Sequence, residues 1–124
     1  MADSPAASGG RESPVAGVDR TEAGGVVVRL VGELDLYNAE AVRAALLECC
    51  SDEPERLVID LEGVHFIDST ALGVLIEARS RLSNRRAFML AAPGLETRRA
   101  LEVSGLDRHF VVHDTAADAL AARV

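Results

Sequence analysis

The chain is 124 residues long, enough for one compact domain and too short for two of ordinary size. Its 20 acidic residues against 13 basic ones give a net charge of −7, which disfavours a protein that holds nucleic acid by neutralising phosphates. Every basic residue is Arg, so a Walker A lysine, a Schiff-base amine and the lysine of a receiver-type aspartyl-phosphate site are all missing. With Tyr37, Phe66, Phe88 and Phe110 as the only aromatics, the interior must be built from Val, Leu, Ile and Ala.

Residues 1–14, rich in Ser, Pro, Ala and Gly and without apolar periodicity, are expected to be a disordered leader to a domain at 15–124. Val15 to Arg20 and the β-branched run Val26 to Val31 then form a hairpin through Thr21 to Gly25. After Gly32-Glu33-Leu34-Asp35, Asn38 is placed to cap a helix whose apolar positions Val42, Ala45, Leu46 and Cys49 recur at helical spacing. It should stop near Ser51, before the breaker cluster Asp52-Glu53-Pro54. Arg56 to Asp60 reads as a central strand covered on both faces.

From Ser69 the period changes. Ala71, Val74, Leu75, Ala78 and Leu82 form one helical stripe, with Leu72 and Ile76 as a second row free to face a partner. "RRAFMLAA" is another strand, Pro93 suits the first turn of a helix ending at Ser104-Gly105, "HFVVH" is a short strand, and Asp114 or Thr115 caps a last helix. Strands alternating with helices give an α/β fold: a mixed, mostly parallel sheet of about five strands with about four helices, antiparallel only at the opening hairpin.

Several chemistries are weighed by their parts. His65, Asp68 and Ser69 are the ingredients of a nucleophilic triad, but they share one short segment, and Ile67 and Ala71 stand where a nucleophile elbow needs small residues. Glu33, Asp35 and Asp60 each follow a strand and could gather as an acidic Mg²⁺ or phosphoacceptor pocket, although capping and solubilising loops is the simpler role for them. Cys49 and Cys50 are adjacent, which strains a disulfide, and two sulfurs without a nearby His make no zinc site. They read as thiols in a reducing cytosol. His109 and His113 bracket a short edge strand. No run approaches the ~20 apolar residues of a membrane span, so a cytoplasmic chain is expected. Ser69 itself is placed as the cap of its helix, where a phosphate would also meet the positive end of the helix dipole.

Three stretches, "VRLVGELDLYNAEAVRAAL", "RLVIDLEGVHFIDSTALGVLIEARSRL" and "APGLETRRALEVSGLDRHFVVHDTAADAL", resemble the STAS domain family, specifically the bacterial anti-sigma factor antagonists. G-E-L-D, V-x-D-L and D-S-T-x-L-G in that order carry the resemblance. It implies a non-enzymatic, cofactor-free binding protein whose Ser69, directly after Asp68, is phosphorylated by a partner kinase, with Asp35 beside the phosphorylated loop. That kinase is the anti-sigma factor itself, and a serine phosphatase reverses the modification. Unphosphorylated antagonist binds the anti-sigma factor and frees a sigma factor for transcription. The expected partner face is Asp35, Asp68, Thr70, Leu72, Gly73 and Ile76 around Ser69, on a monomer with no nucleic-acid or membrane contact. The other reading in view is a scaffold or sensory STAS module that is never phosphorylated and binds a protein or small ligand. The family's usual Gly after Ser-Thr is Ala71 here, a methyl that a kinase approaching the backbone closely would meet.

Overall fold

The computed structural model describes residues 13–124. The expected leader therefore lies outside the described residues except for its last two, of which Pro14 already accepts the Val31 N–H (2.9 Å). Strand β1, Val15–Arg20, returns as β2, Gly25–Leu34, in an antiparallel hairpin. Its turn is closed by Thr21 N–H to the Gly25 carbonyl (2.8 Å) and Gly25 N–H to the Thr21 hydroxyl (2.9 Å), with Gly24 at φ +87°. That conformation is open to glycine and costly to a residue with a Cβ.

There follow α1, Ala39–Ser51; β3, Arg56–Ile67; α2, Ser69–Ser80; β4, Phe88–Ala91; α3, Leu95–Ser104; β5, Val111–His113; and α4, Ala116–Ala121. The five strands lie in the order β1-β2-β3-β4-β5, and every pair after the hairpin is parallel. Each parallel step moves one place in the same direction, so right-handed crossovers must put α1, α2 and α3 on one face of the sheet. The main core agrees, joining Val28, Ile59 and Leu90 from the strands to Leu46, Leu75 and Leu101 from those helices. Alternate strand residues Val27, Val58 and Met89 point the other way and are covered by Ala119 of α4, which is not a crossover and so can close the opposite face. Phe88 and Phe110 meet at 5.9 Å between ring centroids, a small aromatic element in an otherwise aliphatic interior.

The sequence places β3 at Arg56 to Asp60, but the strand runs on to Ile67. Gly63 permits close strand approach in this extension, since a Cβ there would stand 2.8 Å from Val31 Cγ1 and 3.4 Å from the Leu30 carbonyl oxygen. The β2–β3 register shifts between Arg29 and Val31 and again between Gly32 and Glu33, so β3 is a bulged strand rather than two pieces. Smaller differences occur at β4, where Arg85–Ala87 form a 3-10 turn before the strand, and at α3, where Pro93 precedes the Gly94 cap instead of entering the first turn. Gly105 at φ +78° ends α3 as expected, and Thr115 caps α4 by accepting the Asp118 N–H (3.0 Å).

Candidate functional site

Leu34 of β2 and Ile67 of β3 are register partners, so the residues that follow them, Asp35 and Asp68, leave the sheet side by side. The Asp68 N–H donates to the Leu34 carbonyl (3.0 Å), and α2 begins at the next residue. With an extended backbone (φ −101°, ψ 179°), Asp68 turns one carboxylate oxygen to the Ala71 N–H (3.0 Å) and the other to the Leu36 N–H (3.1 Å).

The helix cap is therefore Asp68 and not Ser69, as the sequence suggests. A cap needs non-helical backbone and a side-chain oxygen able to reach back to the first turn. Asp68 supplies both, which leaves Ser69 as the first helical residue, exposed at the amino end of α2. The fold does not use this hydroxyl to start the helix.

Asn38 is the second reassignment. Its side chain makes no cap bond to α1; Oδ1 accepts the Asp35 N–H (2.9 Å) and Nδ2 donates to the Glu33 carbonyl (2.8 Å). Asp35 Oδ1 in turn accepts the Tyr37 N–H (3.0 Å). The G-E-L-D turn is thus held by side chains from Asn38, Asp35 and Asp68.

Of the residues expected at the partner face, Ser69, Thr70 and Gly73 are exposed, Ile76 is 43% exposed, and Asp35 and Asp68 are half-buried. Leu72 departs from the expectation: at 6% exposure it belongs to the core. Helix α2 packs beside α1 and is tied to it by Arg43, whose Nε and a terminal nitrogen reach the two Glu77 carboxylate oxygens at 2.8 and 3.0 Å. Leu72 stands five residues before Glu77, on the other flank of α2, and joins Ala71, Val74, Leu75 and Ala78 in a buried stripe wider than one row. This pair also holds the Glu77 carboxyl below the usual carboxylate range, chiefly through the Arg43 hydrogen bond, and raises the Arg43 guanidinium. Ala71 is 1% exposed, so its methyl lies in the core and a partner at Ser69 does not meet it.

The acidic pocket does not assemble. Asp60 pairs in register with Arg29 and accepts the Glu62 N–H (3.0 Å) well inside β3, whereas Asp35 follows the residue opposite Ile67. Seven residues of strand put them roughly 20 Å apart along the sheet. Among the described residues no group of three or more His, Cys, Asp or Glu is placed to hold a metal. Cys49 and Cys50 are buried, at 2% and 3% exposure, and the Cys50 thiol donates to the Ala78 carbonyl (3.3 Å).

Three residues at this end of the sheet escape a reading of the sequence. Leu36 is 66% exposed, Tyr37 84% and Phe66 46%. Phe66 was traceable through strand alternation with buried Ile67, and Leu36-Tyr37 through their place directly after G-E-L-D, in neither a strand nor a helix.

Residues 17–119 match the model of the STAS domain, and the chain belongs to that family. Among curated proteins it is 37% identical to the anti-sigma-F factor antagonist RsfB of Mycobacterium tuberculosis over 97 residues, covering 78% of this chain and 80% of that one. It is 32% identical to the anti-sigma F factor antagonist of Paenibacillus polymyxa over 100 residues, covering 78% of this chain and 85% of the relative. Among solved structures, an anti-sigma factor antagonist from Mycobacterium paratuberculosis superimposes with a TM-score of 0.77 at 36% identity, covering 84% of this chain and 88% of that one. The α/β architecture expected from the sequence, five strands with four helices, is the one this family shares. No helix among the described residues is long and apolar enough to cross a membrane.

Proposed function

We propose that this chain is an anti-sigma factor antagonist switched at Ser69. Unphosphorylated, it binds a serine-kinase anti-sigma factor and so frees a sigma factor; phosphorylated by that kinase, it lets go until a serine phosphatase restores it. The chain itself performs no chemistry in this cycle. Asp35, Asp68, Thr70, Gly73 and Ile76 form the rim that the partner covers, and Leu72 acts from beneath by fixing α2.

The observation that carries the reading is the division of labour between Asp68 and Ser69. Asp68 starts the helix, so the exposed Ser69 hydroxyl is available to accept a phosphoryl group without loss of the cap. A phosphate there would lie at the positive end of the α2 dipole, which the free protein tolerates well. It adds about −1.5 to −2 charges next to the Asp68 carboxylate. Covered by a partner, a charge without a counter-ion costs several kcal/mol, against the ~8 kcal/mol that a micromolar complex holds in total.

The test is binding of the serine-kinase anti-sigma factors of the encoding organism to the wild type, Ser69→Ala and Ser69→Asp. Ser69→Ala should bind one of them like the wild type and Ser69→Asp should not. Equal binding by Ser69→Asp would favour a STAS scaffold over a switch.

A further inference from the structure

Leu36 and Tyr37 are apolar residues held out into solvent by a turn that is unusually well fastened. The three N–H groups of Asp35, Leu36 and Tyr37 donate to the side chains of Asn38, Asp68 and Asp35 respectively. Asn38 also clamps the Glu33 carbonyl. An exposed loop tip is ordinarily mobile, and ordering it on contact reduces affinity. Here side chains already impose that order in the free protein.

Tyr37 is the chain's one tyrosine, and it stands 84% exposed while Phe88 and Phe110 are buried. Rigid, amphipathic aromatic side chains on pre-organised loops are the usual anchors of protein interfaces. The turn is also contiguous with the phosphoacceptor. Leu36 and Ala71 share the carboxylate of Asp68, and Ser69 is the next residue, so a kinase that reaches the Ser69 hydroxyl comes against Leu36 as well.

We infer that Leu36 and Tyr37 are the anchor of the complex, seating in an apolar pocket of the kinase-type partner beside its phosphoryl-transfer centre. The inference rests on the reading of Ser69 as the phosphoacceptor. The pocket is rimmed by basic groups, because the Asp35 and Asp68 carboxylates bond the backbone of the anchor itself and Glu33 and Glu40 lie within three residues of it along the chain. Because neither residue is used by the core, this pair is free to set which kinase the chain answers to.

Two measurements test it, both on the full chain. In the free protein, ¹⁵N relaxation should show the Leu36 and Tyr37 amides as rigid as those of α1; nanosecond mobility there would overturn the pre-organised anchor. Against whichever serine-kinase anti-sigma factor of the organism binds the wild type, Leu36→Ala and Tyr37→Ala should each raise Kd about tenfold or more at unchanged melting temperature. Val103→Ala, which removes an equally exposed apolar side chain on α3, should leave Kd unchanged. Kd within about twofold of wild type for both loop variants would overturn the inference while leaving the Ser69 switch standing. Self-association abolished by Tyr37→Ala, with kinase binding intact, would overturn it in favour of a second copy as the occupant. Failure of the wild type to bind any of these kinases would sink the switch and the anchor together.

Discussion

The carboxylate of Asp68 joins two pieces of chain that are far apart in sequence: it accepts the Leu36 N–H at 3.1 Å with one oxygen and the Ala71 N–H at 3.0 Å with the other. Removing it should release both the start of α2 and the turn after β2. Asp68→Ala is expected to cost about 2 kcal/mol, summing a lost helix cap and a lost charged hydrogen bond. Ser69→Ala, at an exposed first helical position, should stay within about 0.5 kcal/mol of wild type. Urea denaturation of the two variants distinguishes this arrangement from one in which Ser69 is the cap, where the ranking would reverse.

Ala71 gives a complementary expectation. Its methyl is buried in the core and its position is helical, so Ala71→Gly should destabilise the domain by about 1–2 kcal/mol through lost burial and greater backbone freedom in the unfolded chain. The rate at which a kinase modifies Ser69 should not change, because the methyl never faced the kinase. A faster rate in the glycine variant, measured at a temperature where both proteins are folded, would show that it did.

The Arg43–Glu77 pair fixes α1 against α2 and should be visible as a pH effect. Because the folded Glu77 carboxyl lies below its usual range, its contribution to stability is present above that range and is lost as pH falls through the lowered value. Carboxyl-detected NMR titration should show Glu77 moving up toward the ordinary carboxylate value in Arg43→Gln, and moving part of the way in high salt. An unchanged Glu77 titration in that variant would mean that the pair does not form in solution.

Cys50 acts at the opposite end of the scale. Burial first, and the neighbouring Cys49 second, push its thiol from 9.0 to about 11. The folded state thus favours the neutral thiol, so its contribution is complete below pH 9 and disappears as pH rises from 9.0 to about 11. Melting temperatures across that window should fall for the wild type and fall less steeply for Cys50→Ser, whose hydroxyl does not ionise there. Some slope should remain, since burial raises Cys49 as well.

How far the sequence carries is clearest at particular residues. The hairpin, the alternation of strands and helices and the stripe Ala71, Val74, Leu75, Ala78 and Leu82 are legible because apolar period alone decides them, and all five stripe residues are buried. Asp68 and Ser69 are not separable that way: both types make good caps, and only the extended backbone at Asp68 settles which one does. Asn38 has the right chemistry for a cap, but the Glu33–Asp35 backbone takes both ends of its amide first. Leu72 looks like a free second row because its burial depends on how the rest of the core closes around α2, a long-range fact with no local signature. The sequence ends β3 at Asp60, where the apolar run stops, whereas Gly63 lets the strand continue close against β2.

The central claim is that a phosphoryl group on Ser69 empties the complex with a serine-kinase anti-sigma factor. Incubating the chain with ATP, Mg²⁺ and each such kinase of the organism, then reading intact mass and Kd on the same samples, tests it directly. The account requires one added phosphoryl group on the wild type, none on Ser69→Ala, and a modified protein that binds at least about a hundredfold more weakly, a difference of roughly 2.7 kcal/mol. A phosphoryl group that appears equally on Ser69→Ala, or a modified wild type that binds as tightly as the unmodified one, would contradict it.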